Sequence, residues 1–162
     1  MKALIVYSSW FGHNRAIASL LASELRQHGM SVDILPDAKV APGRVASYDL
    51  LILGSYTHNG RAGHRLRALI EQIAPRQLQR LSVAVFGTQV VESPSYHHPG
   101  GVDDLEACLA ARGCDLAVAP LRIGRNGLGR FTSRLGLSAS ERATIRAFAA
   151  ELWDASVPAL LI

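Results

Sequence analysis

Lys2-Ala3-Leu4-Ile5-Val6-Tyr7-Ser8-Ser9-Trp10-Phe11-Gly12-His13-Asn14 is the stretch on which the reading of this chain turns. Its first six residues form an apolar run of strand type, and Ser8 to Asn14 form a small polar turn. The residues beyond carry Ile17, Leu20, Leu21 and Leu25 at helical spacing. A strand, a tight turn and a helix in succession aim backbone N–H groups and a positive helix dipole at one point. That is an anion site, and phosphate is its usual guest. No Lys follows Gly12, so the turn is not a G-x-x-x-x-G-K-[ST] loop. Its single Gly excludes G-x-G-x-x-G.

Working outward, short apolar runs alternate with helical patterns, the signature of a parallel sheet covered by helices. Strands are predicted at Lys2–Tyr7, Ser31–Leu35 (ended by Pro36), Tyr48–Gly54, Leu81–Gly87 and Leu116–Ile123. The run Leu50-Leu51-Ile52-Leu53 is apolar at every position, as in a strand buried on both faces. One helix is read from Leu66, Leu69, Ile70 and Ile73, and another from Leu105, Cys108 and Leu109. The last opens near Ser138 or Ser140 and carries Ile145, Phe148, Ala149, Leu152 and Trp153 on one stripe. Five strands with five helices and an anion loop at the first βα turn predict an α/β fold. Its sheet is parallel, five-stranded and of order 2-1-3-4-5, with helices on both faces in a three-layer sandwich. The ligand then sits beyond the carboxyl ends of the strands, where the loops after strands one, three and four converge.

Composition sets the limits. The 162 residues are 49% hydrophobic and show no repeat, so one domain over residues 1–162 is expected. No apolar run is long enough to span a bilayer, and Met1-Lys2 leads directly into a strand without room for a signal peptide. A cytoplasmic location is therefore expected. Cys108 and Cys114 give neither a disulfide framework nor a metal spacing. His97-His98 has no third ligand in reach of the pattern, so no metal is expected. The net charge of +4 comes from scattered arginines without a nucleic-acid-binding motif, and no nucleic-acid role follows.

The opening stretch resembles the phosphate loop of flavodoxins. Ile5, Val6, Tyr7, Ser9, Gly12, Ala18 and Leu21 stand where that pattern asks for aliphatic, aromatic, hydroxyl-bearing and small residues. Asn14 stands where the family has Thr, and Trp10 and Phe11 stand where it usually offers hydroxyls. The resemblance extends over most of residues 1–124 and the closing helix, whereas residues 125–137 form an extra segment without counterpart. It implies a flavodoxin-like fold and FMN as cofactor. The phosphate would be held by the turn Ser8, Ser9, Trp10, Phe11, Gly12, His13 and Asn14, using Ser9, Asn14 and the backbone N–H groups between them. The loop after the third strand, with Ser55, Tyr56, Thr57, His58, Asn59 and Gly60, would lie along the flavin ring. There Asn59-Gly60 suits a peptide that visits positive φ, and His58 replaces a Trp common in the family. After the fourth strand, Thr88, Gln89 and Tyr96 complete the set, with Tyr96 as the stacking ring and Tyr56 and Trp10 in reserve.

Under this resemblance the flavin carries the redox chemistry, so no side chain is needed as nucleophile or general acid. The expected role is a small electron carrier. The alternative is an FMN-dependent oxidoreductase resembling quinone reductases or menaquinone-dependent protoporphyrinogen oxidases. A flavin-free interaction domain is the third reading. Flavodoxin carriers are typically acidic, whereas this chain has a pI near 9.5. Positive charge about the ring would make the potential less negative and would favour a redox partner with an acidic surface.

Overall fold

All six residues of Leu50–Ser55 (β3) are buried. They form the middle of the sheet in the computed structural model, which describes residues 1–90, 100–125 and 136–157. On either side lie β1 (Lys2–Tyr7) and β4 (Ser82–Val90), with β2 (Ser31–Pro36) and β5 (Leu121–Arg125) outermost. Every pairing is parallel and the order is β2-β1-β3-β4-β5, as the alternating pattern predicts. Successive residues of a strand face opposite sides. Ala3, Ile5, Ile52 and Phe86 accordingly pack with α1 (His13–Gln27) and α5 (Ala139–Ser156) on one face. Leu4, Val6, Leu51 and Val85 pack on the other with α2 (His64–Gln72), α3 (Pro75–Arg80) and α4 (Gly101–Ala110).

Several boundaries differ from the sequence expectation, each for a local reason. The β2–β3 connection has no α-helix but two 3-10 turns, Asp37–Lys39 and Pro42–Ser47. Instead α2 and α3 share the β3–β4 connection. Tyr48 closes the second 3-10 turn through its N–H to the Val45 carbonyl at 3.2 Å, so β3 starts at Leu50. β5 starts at Leu121 because Pro120 has no N–H for the ladder. A single bond, Ala117 N–H to the Val83 carbonyl at 2.8 Å, survives from the expected earlier start. β4 runs on to Val90, so Thr88 and Gln89 belong to a strand end rather than a loop. Ser138 caps α5, accepting from Glu141 N–H at 3.1 Å while the Glu141 carboxylate accepts from Ser138 N–H at 3.0 Å. Among the described residues no helix is long and apolar enough to cross a membrane.

Register aligns the strand ends that matter. Tyr7 pairs with Gly54, Gly54 with Phe86, and Ser55 with Gly87, so β1 and β3 leave the sheet at one level beside β4, which continues to Val90. Two glycines permit this closeness. A Cβ on Gly54 would strike the Phe86 ring. One on Gly87 would lie 2.5 Å from the Ser55 carbonyl oxygen and 2.6 Å from Val102 Cγ2. Backbone cannot retreat there as a flexible side chain could. Gly87→Ala is therefore expected to destabilise the fold by about 1–3 kcal/mol, the usual cost of overpacking. Urea denaturation measures it, and an unchanged midpoint would show that β3 and α4 do not meet β4 as described.

Candidate functional site

Beyond the carboxyl ends of β1, β3 and β4 lies a cleft of about 420 Å³. That volume is in the range that encloses small ligands. Ser9, Trp10, Phe11, His13 and Asn14 line it from the β1–α1 turn, Tyr56, Thr57, His58 and Asn59 from the loop after β3, and Thr88 and Gln89 from β4. The three predicted segments thus meet at one place.

The β1–α1 turn is built by Gly12, whose φ of +82° is the left-handed conformation that glycine adopts without strain. Its N–H donates to Ser9 Oγ at 3.0 Å. α1 has no side-chain cap at Gly12 and no acidic residue in its first turn, so its own first turn does not offset the positive end of its dipole. The N–H groups of Trp10 and Phe11 meet no acceptor among the described residues. Asn14 is almost wholly buried; its amide nitrogen donates to the Ser8 carbonyl at 2.9 Å while its Oδ1 has no partner among the described residues. A buried polar atom in that condition is costly unless something else reaches it.

Across the cleft, His58 and Arg61 exchange both backbone hydrogen bonds, at 2.9 and 3.0 Å. Between them Asn59 (φ +50°) and Gly60 (φ +73°) make a tight hairpin turn with two positive φ values. This is the geometry for which Asn-Gly is favoured. The Trp10 ring lies 5.3 Å from Tyr56 and 5.1 Å from His58, centroid to centroid, tilted against both. The aromatic cluster of the described site is therefore Trp10, Tyr56 and His58. Tyr96, the expected stacking ring, lies outside the described residues, as do His97 and His98. Trp10 and Phe11 remain 63% and 58% exposed, so the cleft mouth is apolar.

Four of the expected site residues stand behind the cleft instead of lining it. Gly12 and Gly60 shape their turns. Ser8 and Ser55 are buried, with the Ser8 hydroxyl donating to Ser55 Oγ at 3.4 Å and Ser55 Oγ donating to the Tyr56 carbonyl at 2.7 Å. Ser55 Oγ also accepts from Gly63 N–H at 2.9 Å. Sequence reasoning named Thr57 and Thr88 as cofactor contacts but missed the anchoring of the loop after β3 and, with it, Gly101 and Asp104. Thr57 Oγ1 donates to the Thr88 carbonyl at 3.2 Å and accepts from Gly101 N–H at 2.8 Å. Asp104 accepts from Ala62 N–H at 2.9 Å and pairs with Arg67 at 3.3 Å. A signal existed, since two adjacent acids opening a helix after Gly-Gly are more than dipole complements when they also face a loop.

Charge at the site is one-sided. Neither residues 8–23 nor residues 50–70 contain an acid, while they carry Arg15, Arg61, Arg65 and Arg67. Nearby acids are held in pairs. Burial alone would raise the Asp103 carboxyl, but the Gly100 N–H at 2.7 Å and the Arg122 guanidinium at 2.7 Å outweigh it and hold it low. Away from the cleft, Asp33 is lowered chiefly by the Tyr48 hydroxyl at 2.7 Å. Among the described residues no group of three His, Cys, Asp or Glu could hold a metal ion. Cys108 and Cys114 are free thiols, and burial pushes the Cys114 thiol up.

A parallel sheet of this order with a cleft at its carboxyl edge is the flavodoxin-like fold. A family model described as a flavodoxin domain matches residues 4–108, and the chain belongs to that family. It is 28% identical over 130 residues to a protein of Bacillus subtilis named probable flavodoxin 2, covering 79% of this chain and 85% of that one. It is 29% identical over 91 residues to the protoporphyrinogen IX dehydrogenase (quinone) of Escherichia coli K12, covering 56% of this chain and spanning half of that protein. Among solved structures, oxidised flavodoxin 1 of Bacillus cereus is similar with a TM-score of 0.75, covering 95% of this chain and 98% of that chain. At 20% identity this last likeness is one of fold.

The Asp103 cluster gives a pH dependence of definite sign. A carboxyl lowered in the folded state stabilises it above the unfolded value of about 3.9, and that contribution is lost as pH falls through the folded value. Asp103→Asn is expected to cost stability by a constant amount at neutral and mildly acidic pH. The difference from the parent should shrink below about pH 4. Denaturant midpoints across that range measure it, and a difference that grows on acidification would contradict the pairing.

Proposed function

We propose that the cleft binds FMN and that the protein is a small electron carrier serving a redox partner. The observation that carries this reading is the meeting of three segments at the sheet's carboxyl edge: the β1–α1 turn with its helix start, the positive-φ hairpin after β3 and the end of β4, with an aromatic cluster between the first two. The residues present fit the group. Asn14 Oδ1, buried and without a partner among the described residues, is an acceptor and suits a ligand hydroxyl, whereas the N–H groups of Trp10 and Phe11 are donors that lack acceptors among those residues. These donors, with Gly12 turning the chain and Ser9 fixing the turn, would hold the phosphate. Trp10, Tyr56 and His58 would offer ring faces, and Thr57, Asn59, Thr88 and Gln89 polar atoms along its edge. Bound FMN supplies the redox chemistry, and the protein's part is to orient it, limit its contact with water and set its electrostatic surroundings.

The thinned loop sets the expected strength. Side-chain hydrogen bonds to a charged group are each worth about 1.5–3 kcal/mol; Phe11 supplies none, and Trp10 has one indole N–H in place of a hydroxyl. Backbone donors survive that exchange of side chains, so binding is retained but weakened. The acid-free loops about the cleft suit a partner with an acidic surface and a potential less negative than that of acidic carriers. The Bacillus subtilis relative, matched over most of its length, supports the carrier role. An FMN-dependent oxidoreductase is the second reading, favoured by the match over 91 residues to the Escherichia coli dehydrogenase.

Adding FMN to the protein tests the reading. Quenching of flavin fluorescence and co-elution of one flavin per chain are expected, and no binding at all would overturn both redox readings. Ser9→Ala removes the acceptor that fixes the Gly12 N–H, and affinity should fall about 2–10-fold, the worth of one ordinary hydrogen bond. Reductive titration then separates the two roles. Two resolved one-electron steps support the carrier, whereas one two-electron step with rapid quinone turnover supports the oxidoreductase.

A further inference from the structure

The hairpin beside the cleft does not hold itself in place. At its near end Thr57 Oγ1 accepts from Gly101 N–H at 2.8 Å, and Gly101 lies so close that any Cβ would strike the Tyr56 carbonyl. At its far end Ala62 N–H donates to Asp104 Oδ2 at 2.9 Å. Both anchors belong to the first turn of α4, three residues apart. That turn is itself braced, since Asp103 caps it through Gly100 N–H at 2.7 Å and joins Arg122, which also reaches Glu106 at 2.7 Å. Only His58–Arg61 is left between the anchors, closed by its two mutual backbone bonds.

We propose that Asp104 is a positioning residue of the cleft: it ties the far end of the 57–62 hairpin to α4 and so sets where His58 and Tyr56 stand against Trp10. The proposal rests on the reading of this cleft as the flavin site. Asp104 suits the task because it performs two jobs with one carboxylate. Its Oδ2 accepts from the hairpin backbone, and the Arg67 guanidinium at 3.3 Å balances its charge. Arg67 belongs to α2, which follows the hairpin directly, so the ion pair ties the next element to the same point. A charge-assisted bond of this kind is stronger than a neutral one. Without it Ala62 N–H, in a buried residue, would have to find another acceptor. Thr57 alone would then fix the loop, from one end, and the aromatic cluster would lose its fixed side. Asp104 touches neither Trp10 nor His58 and acts only through the backbone.

The test compares Asp104→Ala and Asp104→Asn with the parent in the full chain, by amide hydrogen exchange without added FMN and by FMN fluorescence titration. Asp104→Ala is expected to speed exchange at residues 58–62 about tenfold while β1, β3 and α1 keep their protection, and to weaken FMN binding by a similar factor. Asp104→Asn retains an acceptor oxygen and should recover most of both effects. Unchanged exchange in the hairpin, a uniform rise across the sheet, or an Asn variant as impaired as the Ala variant would each overturn the proposal. If the parent itself binds no FMN, the flavin reading fails, and the exchange measurement alone decides whether Asp104 holds the hairpin.

Discussion

The structure depends on the burial of β3 from both sides. A strand with no solvent face admits only apolar side chains along its length, and Leu50 to Leu53 meet that condition without exception. Its parallel ladders to β1 and β4 then leave no freedom in where the neighbouring segments emerge. Buried polar residues along β1 and β3 appear only at the carboxyl ends, at Ser8 and Ser55. Ser8 and Ser55 share a hydrogen bond there, and Gly54 and Gly87 supply the narrow clearances that Phe86 and α4 require. The cleft is the consequence of ending β1 and β3 at one level while β4 runs on beside them to Val90.

What the cleft offers is mostly backbone. Trp10 and Phe11 take positions at which hydroxyls are usual in the family, so an anion there must rely on N–H groups and on the α1 dipole. The same substitution places the Trp10 indole against Tyr56 and His58, joining the anion end of the cleft to its aromatic end. Basic residues flank both ends with no acid in the two loops that carry them. The arrangement favours a ligand with a charged terminus and a flat ring, and a partner of opposite charge.

Sheet order and core were legible because a doubly covered strand writes an unbroken apolar run, and amphipathic helices write a 3.6-residue period. The β1–α1 turn was legible for the same reason that it works, since a small polar segment between such elements must expose its N–H groups. Strand ends were less so. Pro120 delayed β5, and pairing with β5 carried β4 through Thr88 and Gln89 to Val90, a cooperative effect of the ladder that no local pattern shows. Ser8 and Ser55 read as ligand contacts because a hydroxyl in a site loop looks the same whether it faces the ligand or the next strand. The anchoring of the hairpin by Gly101 and Asp104 joins residues about forty positions apart, and one sequence does not reveal such pairs.

The central claim is that one edge of the sheet, through three segments, forms a single FMN site. Amide chemical shifts of the labelled protein titrated with FMN test it most directly. The account predicts perturbations concentrated at residues 8–14, 56–61 and 87–90, saturating together with one dissociation constant. Perturbations centred on the opposite edge, around Tyr48, Arg76 and Arg80, or separate saturation of the three segments, would contradict it.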